Sequence, residues 1–217
     1  QSMKILDNLK IKIFADGADQ NSIKKLNEKK YIKGFTTNPS LMRKAGIKDY
    51  KSFAKEVLRE INDKPISFEV FSDEIQEMKK QAEEIATWGS NVNVKIPITN
   101  TKKHSTAELI KSLSSKGIIC NITALFTDKQ IEEVYDAIDK STPAILSIFA
   151  GRIADTGVDP SDIISKSVRL VSSRPNIEIL WASTRETLNI FQAEDLGCHI
   201  ITVPHEILNK LSNLDKN

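Results

Sequence analysis

A chain of 217 residues, 40% hydrophobic and 28% charged, has the composition of a globular protein that can bury about 70% of its unfolded surface without covalent staples. Its 31 basic and 29 acidic residues leave a net charge of +2, which excludes a global field recruiting nucleic acid or an anionic membrane, so any anion site must be local. No run approaches the roughly 18 apolar residues of a membrane span, and Cys120 and Cys198 sit in separate apolar contexts without a Cys-x-x-Cys pair, which points to buried thiols in a reducing, cytoplasmic setting.

Gln1-Ser2 ahead of Met3 reads as a cloning remnant without a hydrophobic signal region, and a short polar lead-in follows. Residues 12–16 read as a strand ending on Asp16, and 21–29 as the next helix. Residues 34–38 form a second strand stopped by Pro39, and 48–61 have helical periodicity through Phe53, Val57 and Leu58. A third strand spans 66–71; Asp73 is placed to cap the helix to Trp88, with Gly89 closing it. Val92-Asn93-Val94-Lys95-Ile96-Pro97 is strand four, followed by a helix over 105–116 closed by Gly117.

Strand five covers 118–124, and Thr127 with Gln130 has capping-box spacing for the next helix. Strand six covers 144–149. Asp159-Pro160 is an N-cap and first-turn proline for a helix to about Ser172. Strand seven covers 178–183, its helix 185–194 with Gly197 as C-cap, strand eight 199–203, and the last helix 204–211. Eight strand-helix units with short connections and no linker are the pattern of a single-domain α/β (β/α)₈ TIM barrel over residues 1–217. A doubly wound nucleotide-binding sheet is the rival, but neither G-x-G-x-x-G nor G-x-x-x-x-G-K-[ST] occurs.

Strand alternation then sorts the side chains, because one barrel face meets helices and the other fills the interior. With the apolar set outward (Ala15, Phe68, Val70, Val94, Ile96, Ile122, Leu146, Ile148, Ala182), the inward residues near the C-terminal ends are Asp16, Asn38, Glu69, Lys95, Asn121, Thr123, Ser147 and Ser183. Thr37 falls outward and fits less cleanly. A polar set converging at that mouth marks the place where barrel enzymes keep their chemistry. Singly, each has a plainer reading: Lys95 as a strand-end lysine reaching solvent, Ser183 as a helix N-cap with Glu186 completing a capping box.

His104, His199 and His205 have no metal-ligand spacing, so no metal is expected. One inward amine flanked by carboxylates suits covalent chemistry on a carbonyl, and it equally suits a buried ion-pair network of Lys95 with Asp16 and Glu69. The strands alone do not choose. Arg152 after strand six and Arg185 after strand seven each read singly as a surface arginine, but their joint position is where barrels bind phosphate, a task that fits arginine's bidentate geometry.

These segments resemble the transaldolases, in particular the short-chain group related to fructose-6-phosphate aldolase. The resemblance rests on Phe14-Ala15-Asp16, Thr36-Thr37-Asn38-Pro39-Ser40, Val94-Lys95-Ile96-Pro97, Cys120-Asn121-Ile122-Thr123, Ser147-Ile148-Phe149-Ala150-Gly151-Arg152 and Ala182-Ser183-Thr184-Arg185, in this order along nearly the whole chain. It implies that Lys95 forms a Schiff base with a ketose phosphate, with no cofactor beyond that lysine. Asp16 would move the proton of the C4 hydroxyl, and Glu69 with Thr123 would hold the water of dehydration. Asn38 and Ser147 would bind the dihydroxyacetone unit; Ser183, Arg185 and Arg152 the phosphate; Thr36, Asn121 and Phe149 complete the substrate-binding set.

Two positions separate the group's members, since the aldolases carry glutamine where Glu69 stands and tyrosine where Phe149 stands. Both residues here are of the transaldolase kind. The resemblance therefore implies transfer of a dihydroxyacetone group between sugar phosphates in the pentose phosphate pathway. The alternatives are an aldolase releasing free dihydroxyacetone and a barrel that binds sugar phosphates without catalysis. Relatives assemble into pentamers or decamers through a helix beyond the last barrel helix. This chain ends soon after Leu211, so that pentamer or decamer is not expected to carry over directly, and a homo-oligomer stays open.

Overall fold

Eight parallel strands close into a barrel in which each strand pairs with the next in sequence and the eighth returns to the first. The computed structural model describes residues 3–17, 20–37, 47–211 and 214. The strands are β1 (Lys12–Asp16), β2 (Ile32–Thr36), β3 (Ile66–Glu69), β4 (Val92–Pro97), β5 (Cys120–Leu125), β6 (Ala144–Ile148), β7 (Ile177–Trp181) and β8 (Ile200–Val203). The α-helices among the described residues are α1 (Met3–Asp7), α2 (Gln20–Asn27), α3 (Ile47–Glu60), α4 (Ile75–Ala86), α5 (Ala107–Ser115), α6 (Asp128–Ala137), α7 (Ala150–Asp155), α8 (Ser161–Leu170), α9 (Leu188–Asp195) and α10 (His205–Lys210). None is long and apolar enough to cross a membrane.

The outward strand residues are the aliphatic and aromatic ones that suit a pleated surface under helices, and Phe68, Val94, Ile96, Ile122, Leu146 and Ile148 are wholly buried there. The helices return a matching stripe: α4 buries Met78, Ala82 and Ile85 at helical spacing. Thr127 and Gln130 form the expected capping box of α6. Gly117 and Gly197 take φ of 83° and 76° beyond α5 and α9, conformations open to glycine without strain.

The structure corrects several boundaries. The polar lead-in contains α1, and β2 starts at Ile32, two residues before the expected strand. Asn38, Pro39 and Ser40 lie outside the described residues. Glu74, not Asp73, caps α4 by accepting the Gln76 and Glu77 amides, while Asp73 reaches across to the amide and hydroxyl of Thr101. The C-cap of α4 is Thr87 rather than Gly89. Pro160 is the N-cap position of α8, with Asp159 accepting the Ser161 amide. The segment after β6 is helix α7, whose N-cap Phe149 makes no side-chain cap bond, so no capping signal announces it.

The barrel interior is apolar on one side. Phe14, Ile145, Leu180, Ala182 and Ile200 form an inner cluster from β1, β6, β7 and β8, with Phe149 packed against it. Gly34 on β2 makes room for the Phe14 ring: a Cβ there would stand 2.6 Å from it. Ala182, assigned outward by alternation, belongs to this inner cluster; it is Ile179 and Trp181 that join the helix-side core. Strand β7 thus presents Leu180 inward, with Ala182 just beyond it on the same side.

Candidate active site

A cavity of about 490 Å³ opens at the C-terminal ends of the strands. Its walls include Asp16, Thr36, Glu69, Lys95, Asn121, Thr123, Ser147, Phe149, Arg152, Ser183 and Arg185. Every described site residue named from the sequence is thereby brought to one place; Asn38 lies outside the described residues. Thr37, expected outward, also lines the cavity, as do Pro97, Ala124, Leu180, Ala182 and Thr202.

Parallel register explains the first grouping. Glu69 pairs with Lys95 across β3 and β4, and Lys95 with Asn121 across β4 and β5, so three inward side chains share a row. Lys95 Nζ lies 3.5 Å from Glu69 Oε1, with side-chain exposures of 15% and 12%. That is close enough to pair, yet longer than the roughly 2.8 Å of a tight charge-assisted hydrogen bond. The Glu69 main chain is braced from outside, where the buried Tyr50 hydroxyl donates to its carbonyl at 2.7 Å. Tyr50 packs edge-on or tilted against Phe68, Phe71 and Trp88, and burial, with the Glu69 charge adding to it, pushes its hydroxyl far above the usual range. Tyr50 is a fixed donor.

Asp16 is held from the other side. The Thr36 hydroxyl donates to Asp16 Oδ1 at 2.9 Å and meets the Thr202 hydroxyl at 2.6 Å. A hydroxyl has one proton. With that of Thr36 committed to the carboxylate, Thr202 must donate to Thr36, which makes a Thr202–Thr36–Asp16 chain. Thr202 went unread in the sequence although its inward parity on β8, two residues after Ile200, marks it.

Beneath the cavity Asn121 is oriented by two neighbours: its Nδ2 donates to Ser67 at 3.1 Å, and Ser147 donates to its Oδ1 at 2.6 Å. The Ser147 oxygen thus offers a lone pair, not a proton, to a ligand hydroxyl. Thr123 Oγ1 is buried with no hydrogen-bond partner among the described residues. Such an orphan is costly unless something else binds it, and here it borders the cavity.

The two arginines arrive on adjoining segments. Gly151 on α7 packs so closely on the end of β7 that a Cβ would overlap the Ser183 carbonyl oxygen. Ser183 itself takes φ of 61°, and Ala124 after the β5 row takes 62°. Left-handed backbone outside glycine costs about 1–3 kcal/mol and gathers at functional sites. Here it turns Ser183 into the cavity one residue after inward Ala182, the inward position expected of it but reached by a turn rather than by simple alternation; the plainer N-cap reading does not hold, since the N-cap position of α9 is Thr187. The Arg152 guanidinium lies 5.1 Å from the Phe149 ring centroid, and Phe126 meets that ring edge-on at 5.5 Å. Arg185 Nη2 donates to Asp155 Oδ2 at 2.8 Å.

The thiols take no part. Cys120 and Cys198 are buried and free, and burial pushes both up to about 12, so neither is a nucleophile near neutral pH.

A closed parallel barrel whose C-terminal mouth gathers one shielded amine beside a carboxylate, oriented hydroxyls and two arginines has the architecture of the α/β-barrel enzymes, which keep their active sites at that mouth. Among solved structures, the fold resembles 2,3-dimethylmalate lyase, a PEP mutase/isocitrate lyase superfamily member. Its trigonal form gives a TM-score of 0.62 at 11% identity over 98% of this chain and 80% of that one. The triclinic form gives 0.60 at 12%. At such identity the likeness is one of fold. Sequence relatives are nearer. Residues 13–217 match the transaldolase/fructose-6-phosphate aldolase family. A probable transaldolase of Thermoanaerobacter sp. (strain X514) is 36% identical over 93% of this chain and 89% of its own length. Those of Bdellovibrio bacteriovorus and Dehalococcoides mccartyi are 32% and 35% identical, over 94% and 93% of this chain and 90% of each relative. The chain belongs to the transaldolase/fructose-6-phosphate aldolase family.

Proposed function

We propose that this protein is a transaldolase. It moves a dihydroxyacetone group from sedoheptulose 7-phosphate or fructose 6-phosphate to an aldose phosphate, glyceraldehyde 3-phosphate or erythrose 4-phosphate. The observation that carries the reading is the Lys95–Glu69 pair at 3.5 Å inside a cavity that also holds Asp16, Arg152 and Arg185.

The neutral Lys95 amine attacks the ketose carbonyl, and the carbinolamine loses water to give the imine. Glu69 and Thr123, with its unpartnered hydroxyl, hold the water that leaves and returns. Asp16, oriented by Thr36, takes the proton of the C4 hydroxyl while the C3–C4 bond breaks, its electron pair passing into the imine to form an enamine. The aldose phosphate departs. A second aldose phosphate enters, the enamine carbon bonds to its aldehyde carbon, Asp16 returns the proton to the new hydroxyl, and hydrolysis frees Lys95. Ser147 accepts a hydrogen bond from the dihydroxyacetone unit, while Arg152, Arg185 and Ser183 hold the phosphate.

Phe149 favours transfer over release, because its ring carries no hydroxyl to protonate the enamine. The enamine then waits for an aldehyde. The reading places the protein in the cytoplasm and the pentose phosphate pathway, with sugar phosphates as its partners. Omitting the acceptor tests it: dihydroxyacetone should not accumulate from fructose 6-phosphate alone, and turnover should begin when erythrose 4-phosphate is added. Steady release of free dihydroxyacetone would favour the aldolase reaction instead.

A further inference from the structure

The two arginines at the cavity mouth are held differently. Arg152 rests on an aromatic face, its guanidinium 5.1 Å from the Phe149 ring centroid. Arg185 is already bonded to an acid, since its Nη2 donates to Asp155 Oδ2 at 2.8 Å. Asp155 is the last residue of α7, three positions after Arg152, so one ion pair ties the Arg185 loop to the helix that carries Arg152. Both side chains are about half exposed, at 47% and 56%.

An exposed pair of this kind adds little to stability. Its placement has more consequence. A carboxylate and a phosphate offer guanidinium the same kind of oxygen, and a fixed negative charge beside the phosphate site opposes a dianion. The Arg185 hydrogen bond, and the charges of Arg185 and Arg152, hold the Asp155 carboxyl below the usual range, so it stays ionised at neutral pH.

We propose that Asp155 is an internal competitor for Arg185, occupying the guanidinium when no phosphorylated sugar is bound and yielding it when one enters. This rests on the phosphate end assigned under the proposed function. A transferase must release one aldose phosphate before the next binds. A phosphate grip equally strong in every state would lower KM without raising kcat and would slow that exchange. A carboxylate that reclaims Arg185 loosens the grip on the departing sugar. Asp155 is thus a positioning and specificity residue that touches no reacting atom.

The test uses Asp155→Asn, which keeps the shape and an acceptor oxygen but removes the charge, with Asp155→Ala as a second variant. Inorganic phosphate is titrated calorimetrically into parent and variants in a phosphate-free, low-salt buffer. KM is then measured for erythrose 4-phosphate and for unphosphorylated glyceraldehyde as acceptors. Both variants should bind phosphate roughly two- to fivefold more tightly, the scale of one exposed ion pair. KM for erythrose 4-phosphate should fall by a similar factor, with KM for glyceraldehyde unmoved. Phosphate binding to the parent that the variants leave unchanged or weaken would overturn the competitor role alone. Absence of phosphate binding to parent and variants alike would overturn it together with the phosphate assignment.

Discussion

The threonine chain behind Asp16 gives a prediction with a defined size. Thr36→Val removes the hydroxyl that donates to Asp16 Oδ1 at 2.9 Å and leaves a side chain of the same shape. A hydrogen bond to a charged group contributes about 1.5–3 kcal/mol, and each 1.4 kcal/mol or so is tenfold in rate. If the bond holds the carboxylate in its proton-accepting orientation, kcat falls about tenfold to a hundredfold, with KM nearly fixed because the Thr36 proton is committed to Asp16 and its oxygen already accepts from Thr202. Thr202→Val removes only the donor behind Thr36, a neutral bond of about 1 kcal/mol, and should lower kcat roughly fivefold or less. The double variant should be no slower than Thr36→Val alone, since Thr202 acts only through Thr36. Steady-state kinetics on the three variants, with urea unfolding to confirm the fold, completes the cycle. Multiplying effects in the double variant would refute the chain. So would a raised KM with unchanged kcat for Thr36→Val, which would make Thr36 a substrate ligand.

Two further expectations concern the frame. Gly34→Ala puts a Cβ 2.6 Å from the Phe14 ring, about 1 Å inside normal carbon contact, and should destabilise by about 1–3 kcal/mol in urea unfolding. Adding Phe14→Leu should recover part of that loss, and no recovery would mean that the ring is not the obstacle. His199, whose Nδ1 accepts the Ile179 amide at 2.9 Å, is held below its usual value by burial, helped by the Lys12 charge and opposed by Glu178. The unfolded chain then takes up this proton first, so stability should decline as pH falls below about 6.5 until the folded ring also protonates. His199→Gln should flatten that part of the pH dependence of unfolding, and an unchanged slope would remove His199 as its source.

The barrel was legible because its signals are local and repeated. Apolar alternation located β1 and β4 to the residue, and the Thr127–Gln130 spacing located a helix start. What escaped was set by contacts distant in sequence. Helix α7 carries Arg152 but has no capping side chain, and it is seated by the fit of Gly151 against Ser183, which no local pattern encodes. Ala182 reads outward only when the phase is taken from inward Ser183; alternation from Leu180 carries Ala182 inward, and the left-handed turn at Ser183 then returns the next side chain to the cavity as well. Asp73 has every local property of a cap and is drawn away by Thr101, 28 positions later. Lys95 shows the opposite case: its oddity in an apolar strand was visible at once, whereas its neighbour at 3.5 Å depended on the register of β3 against β4.

The central claim is that Lys95 bonds covalently to a ketose phosphate, and borohydride reduction tests it most directly. The protein is incubated with fructose 6-phosphate and reduced, and the adduct is located by intact mass and peptide mapping. The account predicts a single adduct on Lys95, absent from a folded Lys95→Met variant. A folded, reduced parent with no adduct, or with the adduct on another lysine, would contradict it.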